Sequence, residues 1–95
     1  MYWENVVVQN PSGMHARPAC VFVECAKAYT SRIMVAQEGR EDQAVNAKSI
    51  VSLLAMGIAR GKRIQIAAQG EDEEDAVKAL VALVESGLGE SGEDL

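Results

Sequence analysis

The spacing of apolar residues in this chain switches between a period of two and a period of about 3.6, and that alternation limits the possible folds more than any other feature. Residues 3–9 contain Val6, Val7 and Val8, β-branched and followed by the turn cluster Asn10, Pro11, Ser12 and Gly13, so they read as a strand. From Ala16 to about Ala28, Ala19, Phe22, Val23 and Ala26 fall on one helical face, with Glu24 and Lys27 between them. Pro18 suits the first turn of that helix, where a missing N–H breaks no intrahelical bond. Ile33 and Val35 alternate with Arg32, Met34 and Ala36 as a second strand, and residues 43–46 read as a third. Ser49 precedes an apolar helix over residues 50–56 that Gly57 ends. Residues 63–69 alternate on Ile64, Ile66 and Ala68 as a fourth strand, broken by Gly70. The acidic residues 71–75 open a last helix with an apolar side of Ala76, Val77, Leu80, Val81 and Val84, and their charge complements the positive end of its dipole. Beyond Ser86 the Gly/Ser/Glu stretch is expected to fray. The order β-α-β-β-α-β-α, with strands apolar on one side, predicts an α+β domain of two layers.

Ninety-five residues suffice for one core and for no large enclosed active site. Residues 1–90 are expected to form a single domain, and residues 91–95 an acidic, flexible tail. The net charge of −5 is unevenly spread. Residues 1–70 carry eight basic and five acidic side chains, whereas residues 71–95 carry one basic and nine acidic. An acidic balance argues against general nucleic-acid binding, which requires positive surface to release counterions. Cys20 and Cys25 lie five apart, about 140° around a helix, so neither a disulfide nor a shared metal site follows. With a single histidine no zinc set can be assembled, and no cofactor is implied. The absence of a disulfide framework suits a cytoplasmic chain. No apolar stretch reaches the ~20 residues needed to span a membrane.

The most informative stretch is residues 10–19, Asn-Pro-Ser-Gly-Met-His-Ala-Arg-Pro-Ala. Its histidine, His15, stands where a turn gives way to a helix. First-turn N–H groups lack internal partners and the helix dipole is positive there, so the position is suited to an anion such as phosphate. A neutral imidazole at this point offers a nucleophilic nitrogen. Arg17 adds a planar donor fork for phosphoryl oxygens, and Ser12 a hydroxyl. The plainer alternative is that His15 only caps the helix and Arg17 is a solvated charge. A second candidate is Ser49, placed to cap the apolar helix and also able to carry a phosphate beside Lys48. Ile50, Val51, Leu53 and Leu54 cannot all face inward from so short a helix. Either some form a docking surface or loops cover them.

These residues resemble the HPr family, the histidine-containing phosphocarriers of the bacterial sugar phosphotransferase system. The Ser-Gly-Met-His-Ala-Arg-Pro-Ala run at 12–19 is similar to its phosphorylation loop. The Asn-Ala-Lys-Ser-Ile run at 46–50, with residues 56–61, is similar to its regulatory-serine segment, and residues 68–72 and 85–90 to its last strand, helix entry and C-terminus. The resemblance implies an open-faced β-sandwich, a four-stranded antiparallel sheet with three helices on one face, working as a monomer. It implies that His15 accepts a phosphoryl group from Enzyme I and passes it to enzyme IIA proteins, as a carrier and not a turnover enzyme. Arg17, with the N–H groups of Ala16 and Arg17, would steady that group beside Ser12, and Cys20, Ile50, Val51 and Leu54 would form the docking surface. Ser49 matches the serine modified by HPr kinase, which creates a co-repressor for a catabolite-control transcription factor. The loop around residues 38–43 is longer than the family pattern, and Cys20 and Val51 depart from it at docking positions.

Overall fold

The computed structural model describes residues 1–90, so the expectation for residues 91–95 lies outside the described residues. The elements are β1 (Tyr2–Val7), α1 (Ala16–Lys27), β2 (Arg32–Gln37), a 3₁₀ turn (Glu41–Gln43), β3 (Val45–Asn46), α2 (Ile50–Met56), β4 (Arg63–Gln69) and α3 (Glu73–Glu85). The strands form one antiparallel sheet in the order β1-β4-β2-β3, with β4 between β1 and β2. This is the two-layer α+β domain that the alternating periods predict, in the open-faced sandwich form that the family resemblance implies.

Register sets the two faces, because successive strand residues point to opposite sides. Val6 pairs with Ile64, Val35 with Ile66 and Ile33 with Ala68, and all six are buried on the helix side. Helix α1 lays Ala19, Phe22, Val23 and Ala26 on this layer, and α3 lays Ala76, Val77, Leu80, Val81 and Val84 on it. The opposite face carries the row Trp3, Ala67 and Met34, with Trp3 well exposed. None of the described helices is long and apolar enough to cross a membrane.

The expected β3 is shortened. Gln43 donates its N–H to the Arg40 carbonyl and closes the 3₁₀ turn, so pairing with β2 starts only at Val45. The last helix also begins later than the acidic run suggests, because Asp72 is drawn away to another element. Its carboxylate accepts from the Ser31 hydroxyl and N–H and from the Thr30 N–H at 2.8 Å, tying the start of β2 to the entry of α3.

The Ser31 hydroxyl foremost, with the Thr30 N–H, pulls the Asp72 carboxyl down from 3.8 to about 2. A carboxyl depressed in the folded state contributes stability above its unfolded value, and that contribution is lost as the pH falls through the folded one. Wild type should therefore lose thermal stability relative to Asp72→Asn as the pH falls from 3.8 to about 2. Thermal melts across that window check this, and parallel curves for the two proteins would contradict it.

Residues 87–90 do not fray as expected; the rest of that stretch lies outside the described residues. Gly87 donates to the Val84 carbonyl at 3.1 Å and Leu88 to the Leu83 carbonyl at 3.0 Å, the paired bonds of a Schellman ending. Gly87, Leu88 and Gly89 all have positive φ, so the chain hooks back, and Leu88 is fully buried in the core.

Candidate functional site

Residues 8–15 leave β1 and are pinned before they reach the helix. Val8 donates to the Lys62 carbonyl at 2.9 Å and accepts from the Gly61 N–H at 2.7 Å. Gly13 closes a turn on the Asn10 carbonyl, and the Asn10 amide Nδ2 donates to the Gly13 carbonyl at 2.8 Å. Met14 then donates its N–H to the Ile58 carbonyl at 2.9 Å and buries its whole side chain. Burying Met14 sends the next residue, His15, outward.

His15 occupies the N-cap position of α1 with extended backbone, φ −120° and ψ 156°, and its side chain makes no capping bond. The imidazole is exposed and is not spent on the helix, which removes the plainer reading of His15 as a capping side chain. No acidic residue lies in the first turn, so no carboxylate there competes for an incoming anion. Ala16 follows at φ 47°, a left-handed conformation that costs a non-glycine residue about 1–2 kcal/mol. Strain of this kind is retained where the surroundings over-determine it, and here the buried Met14 and Pro18 hold both sides. Arg17 is exposed and forms no ion pair among the described residues. His15, Ala16 and Arg17 thus stand together at the open start of α1.

Ser12 is exposed in the same turn, but its donors are already engaged. Its hydroxyl donates to Glu90 Oε2 at 2.6 Å and its N–H to Glu90 Oε1 at 2.8 Å. Asn10 Nδ2 donates to Glu90 Oε1 at 3.0 Å. Sequence reasoning missed Glu90, which is 78 residues from Ser12. The available signal was Gly-Leu-Gly at 87–89, where alternating glycines permit the left-handed hook that returns the chain.

Ser49 is the N-cap of α2, and its hydroxyl oxygen accepts from the Ser52 N–H at 3.2 Å. Lys48 does not wait beside it as a free cation, since its Nζ donates to the Tyr29 carbonyl at 2.7 Å. That bond places the start of α2 near the end of α1, while Ile58, just past α2, meets Met14 at the start of α1. The two helices therefore run antiparallel. A 12-residue α1 is about 18 Å long, so Ser49 and His15 lie toward opposite ends of the pair.

Of the expected docking residues, Val51 is 74% exposed and Leu54 40%, Cys20 is exposed and Ile50 half-buried. Leu53 is the only buried residue of α2. Cys20 lies on α1 and the other three on α2, and the two helices pack against each other. Both cysteines are free, and the described residues contain no group of His, Cys, Asp and Glu able to hold a metal.

An open-faced sandwich with an exposed histidine at an uncapped helix start is the architecture of the small phosphocarrier domains. The chain belongs to the HPr family: the family described as PTS HPr component phosphorylation site matches residues 3–86. The crystal structure of HPr-C-His from Thermoanaerobacter tengcongensis superposes with a TM-score of 0.88 at 41% identity, covering 96% of this chain and 99% of that one. The HPr-like protein Crh of Halalkalibacterium halodurans is 39% identical over 90% of this chain and 98% of its own length. The multiphosphoryl transfer protein of Haemophilus influenzae is 38% identical over 88% of this chain, which spans only 17% of that protein's length.

Proposed function

We propose that this protein relays phosphoryl groups through His15, taking them from phosphorylated Enzyme I and giving them to enzyme IIA proteins. The observation that carries the reading is the exposed imidazole, free of any capping bond, at the start of α1 beside an Arg17 that forms no ion pair among the described residues. In the loading step the lone pair of His15 Nδ1 attacks the phosphorus of the donor phosphohistidine. The new N–P bond forms as the donor's P–N bond breaks, and the donor ring keeps the electron pair. The N–H groups of Ala16 and Arg17 and the Arg17 guanidinium meet the charge on the phosphoryl oxygens. Unloading repeats the exchange with the partner's histidine as nucleophile. Cys20, Ile50, Val51 and Leu54 offer both partners one apolar platform on α1 and α2. Free cysteines suit a cytoplasmic location, and a monomer keeps that platform open.

The test is a two-stage relay. With phosphoenolpyruvate and a cognate Enzyme I, the wild type should acquire label and surrender it when an enzyme IIA is added. His15→Ala should do neither, and a mutant that still carries label to enzyme IIA would overturn the reading.

A second, compatible reading is favoured by the likeness to Crh and by the position of Ser49 at the cap of α2. There an ATP-dependent HPr kinase would phosphorylate Ser49, and the product would bind a catabolite-control transcription factor. A phosphate on Ser49 would also hinder loading of His15. With Ser49 and His15 toward opposite ends of the antiparallel pair, screening over a length of about 8 Å at physiological salt weakens direct repulsion between them. The new charge acts instead on the adjacent platform of Ile50 and Val51. Ser49→Asp should therefore raise KM for Enzyme I and leave kcat near wild type, and an unchanged KM would count against the platform.

A further inference from the structure

The hook that follows α3 ends on a carboxylate in the loop that carries His15. Leu88 is buried in the core, Gly87 and Leu88 complete the Schellman bonds, and Glu90 donates its N–H to the Gly87 carbonyl at 2.9 Å. Glu90 is thus delivered by a fixed element and not by a loose end. Its carboxylate gathers three donors: the Ser12 N–H, the Ser12 hydroxyl and Asn10 Nδ2. These bonds join residues 78 to 80 positions apart, at lengths of 2.6–3.0 Å.

Asn10 is 3% exposed and its Oδ1 is buried with no hydrogen-bond partner among the described residues. A flipped amide would aim that oxygen at the Gly13 carbonyl and the Glu90 carboxylate, both acceptors. The buried amide therefore leaves one polar atom unmet in order to donate to Glu90 and Gly13 together. A buried orphan of this kind is rare, and a charge-assisted bond on the same side chain offsets it. The Ser12 hydroxyl, its N–H and the Asn10 amide also hold the Glu90 carboxyl below the usual carboxylate range, which keeps the acceptor charged.

We propose that Glu90 is a positioning residue for phosphoryl transfer at His15, clamping the 10–13 turn so that the imidazole and the first-turn N–H groups of α1 keep one geometry. The clamp acts through Ser12 and Asn10, the two residues whose donors the Glu90 carboxylate accepts. It rests on the reading of His15 as the acceptor. Loading requires the ring nitrogen, the guanidinium and the helix start in register at once, and transfer rates are sensitive to small misplacements of reacting groups, about a hundredfold for 1 Å. Without the clamp, residues 10–13 keep their own turn bonds and the flanking bonds of Val8 and Met14, but the Asn10–Ser12 side of the turn loses its tie to the hook and gains freedom.

The test is steady-state loading of the full chain by phospho-Enzyme I at fixed Enzyme I, with the chain's concentration varied, for wild type, Glu90→Ala, Glu90→Gln, Ser12→Ala and the Glu90→Ala/Ser12→Ala double variant. His15→Ala is the control. Glu90→Ala should lower kcat about tenfold with KM unchanged, at a temperature where circular dichroism shows it folded. Glu90→Gln, which keeps an acceptor oxygen, should recover part of the rate. The double variant should lose no more than Glu90→Ala alone, because both changes break one clamp. A wild-type kcat for Glu90→Ala and Glu90→Gln would overturn the inference, as would losses that multiply in the double variant. Label appearing on His15→Ala would instead overturn the acceptor assignment, so the two failures are distinguishable.

Discussion

Gly13→Ala should unfold at markedly lower denaturant than the wild type and load phosphoryl groups more slowly. A Cβ at this position would lie 2.5 Å from the Ile58 carbonyl oxygen and 3.0 Å from the Ala59 backbone, none of which is a flexible side-chain end. Gly13 also has φ +63°, where a side chain adds left-handed strain. Strain of about 1–2 kcal/mol and overpacking of about 1–3 kcal/mol place the cost at about 2–5 kcal/mol. Relief would come from moving the turn off residues 58–59, which strains the Met14 N–H bond to the Ile58 carbonyl and shifts His15 with it. Urea denaturation and loading kinetics check the two halves separately. A midpoint within error of wild type would show that the loop is not pressed against residues 58–59.

The second large effect belongs to Leu53→Ala. Helix α2 has seven residues and buries one of them, Leu53, at 0% exposure. A helix this short has little stability of its own and forms because its side chain is docked. Truncating a fully buried leucine costs about 3–5 kcal/mol, a large part of the roughly 5–15 kcal/mol that holds a domain together. Because Ile50, Val51 and Leu54 ride on the same helix, loosening Leu53 should also weaken partner docking. Chemical denaturation should give the stability loss, with a higher KM for Enzyme I under conditions where the variant is still folded. A loss below about 1 kcal/mol would mean that α2 is held by contacts other than Leu53.

Where local pattern and tertiary contact agree, the sequence was sufficient. The alternation of Ile64, Ile66 and Ala68 marks β4 from Arg63 to Gln69, and Ser49 and Gly57 bracket α2 as an N-cap and a left-handed stop. His15 and Arg17 were legible as a pair because a helix start is a local feature with a local electrostatic consequence. Apart from the shortened β3, which a local bond from the Gln43 N–H to the Arg40 carbonyl explains, the failures involve distant partners. The acidic run at 71–75 resembles a helix opening, yet Asp72 belongs to Thr30 and Ser31 across the fold. Gly87 and Gly89 resemble breakers, yet their positive φ turns Leu88 into the core and Glu90 onto Ser12. No periodicity reports a hydrogen bond between residues 12 and 90. Lys48, adjacent to Ser49 in sequence, is bonded to Tyr29 because antiparallel packing of α1 and α2 brings that carbonyl within reach.

The central claim is that the transferred group resides on the His15 ring, and locating it is the most direct test. The full chain, incubated with phosphoenolpyruvate and a cognate Enzyme I, would be measured by intact mass spectrometry and by nitrogen–phosphorus correlation on histidine-labelled protein. One phosphoryl group per chain, lost in mild acid, bonded to His15 Nδ1 and absent from His15→Ala, is the predicted result. An acid-stable adduct, or a phosphoryl group that persists in His15→Ala, would contradict it.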